Sequence, residues 1–116
     1  MKQNAKLINA ETGQVLLRSL DIANNPWTRF LGLMFRQSTP PDYGMLIQPC
    51  RSIHTMWMRM TIDVTFLSKD DIVLGCRSNI RPWRIVIAPP GTVSVLETPA
   101  GQIILTIGTK LSIQAG

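Results

Sequence analysis

The chain is poor in the residues most often used for chemistry. Its 116 residues include two cysteines, one histidine and only 6% aromatics. With Cys50, Cys76 and His54 alone, none of the usual zinc spacings can be built. No glycine-rich phosphate loop, dinucleotide fingerprint or nucleophile elbow occurs either. No window approaches the roughly 18 apolar residues of a membrane helix. The opening stretch MKQNAKLINAETGQ lacks the apolar core of a secretory signal. The expectation is a cytoplasmic protein with no membrane partner. Cys50 and Cys76 are then expected as free thiols, since cytosolic disulfides are uncommon. No cofactor and no resident metal are expected.

Acidic residues are also scarce, 7 Asp+Glu against 12 Lys+Arg, for a net charge of +5. Arginines outnumber lysines and are spread along the chain at positions 18, 29, 36, 51, 59, 77, 81 and 84. Nucleic-acid binding normally shows a clustered stripe or a motif, so nucleic acid is not the expected partner. Arginine used against carboxylate or phosphate is the better fit.

What is present is a 45% apolar chain, long enough for one ordinary domain over residues 1–116. Short β-branched runs punctuated by Pro and Gly predict strands at 5–10, 14–22, 44–48, 53–60, 62–67, 72–76, 93–97 and 102–107, with residues 110–113 closing the chain. A helix is predicted over residues 26–36, with Asn25 as its cap and Pro26 as its first residue. Trp27, Phe30, Leu31 and Met34 would form its apolar stripe. The fold class expected is mainly β, a sandwich or barrel with one short helix.

Rare residue types crowd into one stretch, Cys50 to Leu67. On a regular strand His54, Met56, Met58 and Met60 share a face, opposite Thr55, Trp57, Arg59 and Thr61. Three chemistries follow. Cys50 and His54 could form a thiol–base pair, but four extended residues separate them by about 13 Å unless the chain turns at Arg51–Ser52. The soft His/Met row suits Cu(I), although same-face neighbours ~7 Å apart would have to converge and Met more often fills core gaps. Arg59 and Asp63, with Arg29 and Arg36 on the helix, could instead line a binding pocket. Arginine beside Trp57 or Trp83 could stack on a ring or hold a planar anion. Glu97 and Asp63 are possible paired carboxylates, although no pattern places them together.

Four blocks, in order, carry a resemblance. They are Arg29-x-x-Gly32-Leu33-Met34-x-Arg36; Gly44-Met45-Leu46-Ile47-x-Pro49-Cys50; Ser52-Ile53-His54-Thr55-x-Trp57-Met58-Arg59 continuing to Ile62-Asp63-Val64-x-Phe66-Leu67; and Val95-Leu96-Glu97-x-Pro99-Ala100-Gly101. The sequence resembles the family called domain of unknown function 192 (DUF192) over roughly residues 29–113. The resemblance implies a single-domain, jelly-roll-like β-sandwich with little helix. It also implies a helical turn within residues 99–107. The family's function is not established, so no catalytic residue is carried over. The segment Ser38 to Tyr43 departs from relatives, which tend to have a leucine-bearing helix end there.

The functional expectation is a non-enzymatic binding module for an acidic small molecule or a protein segment. Its ligand-binding residues would be Arg29, Arg36, His54, Met58, Arg59 and Asp63. A Cys50/His54 thiol enzyme and a Cu(I)-binding protein are the alternatives.

Overall fold

Alternating and continuous apolar runs become strands, and Pro/Gly clusters become the turns between them. The computed structural model describes residues 5–115; residues 1–4 of the opening stretch lie outside it. Nine strands and one helix follow in the order β1 (Ala5–Asn9), β2 (Val15–Ala23), α1 (Pro26–Leu31), β3 (Tyr43–Ile47), β4 (Ser52–His54), β5 (Ile62–Leu67), β6 (Val73–Ile80), β7 (Ile85–Ile87), β8 (Ser94–Pro99) and β9 (Leu111–Gln114). The mainly β class with one short helix is therefore observed.

Seven strands form one sheet in the order β6-β5-β8-β3-β2-β1-β9, and β4 pairs with β7 in a separate ribbon. The sheet is mixed, because the α1 crossover sets β2 and β3 parallel. Its ends curl together: Ile72 bridges Lys110, and Leu111 donates to the Asp71 carbonyl. One bridge does not make a ladder, and no closed barrel results.

Central strands β3 and β8 are buried on both faces, as continuous apolar runs require. Alternation sends Met45, Ile47, Val64, Phe66 and Val95 into one core cluster. Leu46, Leu96, Leu20 and Leu17 enter the other. The first cluster is roofed by Leu33, just beyond α1, by Ile53 and Val86 of the ribbon, and by Met58. Each fully buried side chain of this size contributes about 1.5–3 kcal/mol.

Helix α1 starts as expected. Asn25 Oδ1 accepts from the Thr28 N–H at 2.9 Å and Pro26 leads the first turn. It ends at Leu31 rather than near residue 36, because Gly32 turns the chain at φ 49°. The expected stripe divides: Met34 is buried, whereas Trp27 and Phe30 are 67% and 56% exposed.

The strand expected over 53–60 stops at His54. Residues 55–61 turn instead, with Trp57 at φ 63°. The His54/Met56/Met58/Met60 row therefore does not form, and Met58 and Met60 pack against the core instead. Residues 103–106 are irregular, neither strand nor helix. They follow one turn closed by the Gln102 N–H on the Pro99 carbonyl at 3.2 Å. Propensity alone could not anticipate this, since the segment finds no partner strand.

Asp63 is tied to backbone rather than to Arg59. Its Oδ1 accepts from the Asn79 N–H at 2.8 Å and its Oδ2 from the Gly101 N–H at 2.9 Å. Among the described residues the ion pair present is Arg18–Asp42, at 2.7 Å. Asp63→Ala removes two charge-assisted bonds and is expected to lower stability by about 1–3 kcal/mol in urea unfolding. A loss within error in that measurement would show that the two amides are satisfied by water.

Candidate functional site

Antiparallel register aligns Val64, Glu97 and Met45 across β5, β8 and β3. Paired residues share a face, so Glu97 projects toward the cluster roofed by Leu33 and the ribbon. Asp63 pairs with Thr98 and projects from the opposite face. The two carboxylates are thus separated by the sheet and cannot work as a pair.

Glu97 is 2% exposed. Its Oε1 accepts from the Leu33 N–H at 3.3 Å. A Cβ on Gly32 would lie 2.9 Å from the same oxygen. Two demands therefore select glycine at position 32: a positive φ and room for the carboxyl group. Burial raises the Glu97 pKa to about 7, only partly offset by the Leu33 N–H.

Above Glu97 lies a small cavity of about 40 Å³. Its wall includes Arg29 of α1, Cys50, His54 of β4, Met58 and Glu97. The turn at Cys50–Ser52 brings Cys50 and His54 to one cavity, where an extended segment would have held them apart. Of the six residues expected to bind ligand, Arg29, His54 and Met58 converge here. Arg36 does not line the cavity: it donates to Tyr43 Oη at 2.9 Å, and that hydroxyl donates to Asp21 Oδ2 at 2.7 Å. Arg59 is exposed in the turn, and Asp63 lies on the other side of the sheet.

The polar atoms of the cavity are incompletely paired. Arg29 Nη1 donates to the Pro49 carbonyl at 3.1 Å. Arg29 Nε and His54 Nδ1 are buried without a hydrogen-bond partner. The His54 ring lies 5.4 Å from the exposed Phe30 ring. Cys50 Sγ donates to the Ser52 carbonyl at 3.0 Å. Burial pushes this thiol up from its ordinary value, outweighing the lowering by the Ser52 bond and by Arg29. A nucleophilic cysteine needs the opposite shift.

Sequence reasoning noted Glu97 as a motif position and as a possible partner of Asp63, not as a buried group beneath a cavity. The signal that could have found it was a lone carboxylate directly after Val95-Leu96 in an expected strand. A charged residue placed among core residues marks either a structural partner or a site.

Two outcomes follow from these protonation states. Glu97 ionises at about 4.5 when unfolded and about 7 when folded. Its contribution is fully present below the lower value and is lost as pH rises through the upper one. Stability should thus fall by on the order of 3 kcal/mol between those limits. Glu97→Gln should flatten the fall in urea midpoints between pH 4.5 and 7.5; an unchanged slope would assign the dependence to another group. Cys50, for its part, should react slowly with iodoacetamide at pH 7 and gain rate only at alkaline pH. Fast neutral labelling, lost in His54→Ala, would restore the thiol-enzyme alternative.

Comparison with known proteins agrees with this architecture. The family model of DUF192, described as an uncharacterized ACR, matches residues 7–113. A UPF0127 protein of Thermococcus sibiricus is 34% identical over 84% of this chain, which spans 65% of that relative. One from Pyrococcus furiosus is 30% identical, covering 95% of this chain and 92% of the relative. Among solved structures, a Sinorhizobium meliloti protein provisionally described as a transcription regulator superposes with TM-score 0.81 at 25% identity, over 97% of this chain and 93% of that one. A protein of unknown function from Novosphingobium aromaticivorans superposes with TM-score 0.77 at 21% identity, over 93% and 82%. The four sequence blocks, the register that buries Glu97 and these matches agree: the chain belongs to the DUF192 family.

Proposed function

We propose that this chain is a non-enzymatic binding module whose cavity takes a carboxylate, presented by a small acid or by an acidic protein segment. The observation that supports it is the pair of unpartnered buried nitrogens, Arg29 Nε and His54 Nδ1, on residues lining one cavity. An unpaired buried polar atom costs about 1–3 kcal/mol. An anion accepting from both would remove that cost.

A cavity of about 40 Å³ admits one functional group, not a whole metabolite. The ligand's tip therefore enters while its body rests outside, against Phe30 and Trp27. Burial raises the Glu97 pKa to about 7, so below that pH its carboxyl group is mostly protonated and adds little competing charge at the base. The upward shift of Cys50 weighs against the thiol-enzyme alternative.

The cytoplasm is the setting we favour, and the two free thiols support it. No described helix is long and apolar enough to cross a membrane. DNA reading by a recognition helix, the common device of regulators, has no counterpart among the described residues, whose helix spans six.

The single histidine makes the test simple. Acetate titrated into the protein should shift the His54 imidazole proton resonances saturably at constant pH. Arg29→Gln, in a domain whose amide spectrum is otherwise unchanged, should abolish the shift. A linear drift, or the same saturation in the variant, refutes carboxylate binding at this cavity.

A further inference from the structure

A second concavity lies where the end of β6, the 81–84 loop and the start of β7 meet. Its volume is about 290 Å³, and Arg77, Arg81 and Arg84 line it together with Ser78 and Asn79. No carboxylate is among its lining residues. The acid that touches the lining is Asp63, through the Asn79 N–H, and Arg84 Nη1 also donates to the Pro82 and Trp83 carbonyls. Three exposed, permanently charged arginines thus gather at one concave surface. Such an arrangement is electrostatically unfavourable until an anion enters, and a concave wall focuses the field on that anion.

The loop that presents these groups is held firmly. Thr55 is fully buried and serves as its anchor. Its hydroxyl donates to the Arg81 carbonyl at 2.7 Å and accepts from the Arg84 N–H at 2.7 Å. Its backbone N–H donates to the Arg84 carbonyl at 2.8 Å, and its carbonyl accepts from the Trp83 N–H at 2.9 Å. Trp83 is held at φ 67° and meets Trp57, at φ 63°, with ring centroids 4.8 Å apart. Both indoles are about half exposed, at 52% and 56%. Bulky residues at positive φ cost energy and persist where the surroundings impose them, most often at functional sites. The loop is therefore pre-organised with arginine and indole outward, not a solvated flap.

We propose that the Arg77–Arg81–Arg84 cleft is a second binding site, specific for phosphoryl groups. Phosphate suits it better than carboxylate because three guanidinium forks can share its three or more acceptor oxygens. The phosphoryl group could belong to a free polyphosphate or to the backbone of a single-stranded nucleic acid, whose bases could stack on exposed indoles. The site shares no residue with the Arg29–His54 cavity, so each stands or falls alone.

Calorimetry of the whole chain with inorganic pyrophosphate and with a twelve-residue oligothymidylate tests the proposal. At least one probe should bind saturably, and salt should weaken the binding. The double variant Arg77→Gln/Arg81→Gln should weaken it about tenfold or more. Arg29→Gln should leave it unchanged. Pyrophosphate binding alone identifies a free phosphate ligand. Tighter oligothymidylate binding with quenched tryptophan emission identifies a nucleic-acid backbone. The control Arg18→Gln/Arg51→Gln removes the same charge elsewhere. Binding of neither probe, or equal weakening in the control, overturns the proposal.

Discussion

A carboxyl group buried without a counterion is the constraint on which the region above the sheet depends. Glu97 sits mid-strand in β8, directly after Val95 and Leu96, which belong to the two core clusters. Ionisation there carries a desolvation cost, so the pKa is raised to about 7, and the group accepts one backbone N–H, from Leu33. That bond requires the chain after α1 to pass directly over the carboxyl group. Gly32 makes the passage possible. The helix must end there, and Leu33 then seals the cluster.

The cavity is a consequence of this arrangement. With α1 cut short over Glu97, Arg29 on its last turn reaches the Pro49 carbonyl and stands opposite His54 of the ribbon. Strand β7 of the same ribbon lines the arginine cleft, whose loop is anchored by Thr55. One small two-stranded element therefore borders two polar concavities of different size and charge. The first is narrow, with two unpaired nitrogens above a buried acid. The second is wider, and its charged lining residues are all arginines.

Exposed aromatics border both. Phe30, stacked with Trp27, lines the narrow cavity, and Trp83, paired with Trp57, lies in the 81–84 loop that carries two of the wide cleft's arginines. Most of the chain's few large rings are thus spent on the surface rather than in the core, where aliphatic side chains do the packing. Large rings left half exposed beside polar concavities are common at recognition surfaces.

Local patterns were sufficient for much of the fold. Alternation and Pro/Gly punctuation located β1, β2, β3, β5 and β8, and Asn25-Pro26 marked the helix start, because these signals act over a few residues. The sequence also pointed to Arg29, His54 and Met58. Tertiary structure decided the rest. Helical spacing at Trp27, Phe30, Leu31 and Met34 could not reveal that a carboxyl group 65 positions after Gly32 ends the helix. Strand propensity across Ile53–Met60 could not reveal that Thr55 is claimed by the 81–84 loop, which turns the chain at Trp57. Register across β5, β8 and β3 put Glu97 inside and Asp63 on the other face. Each of these outcomes depends on partners distant in sequence, and a linear pattern carries no record of which distant group will meet it.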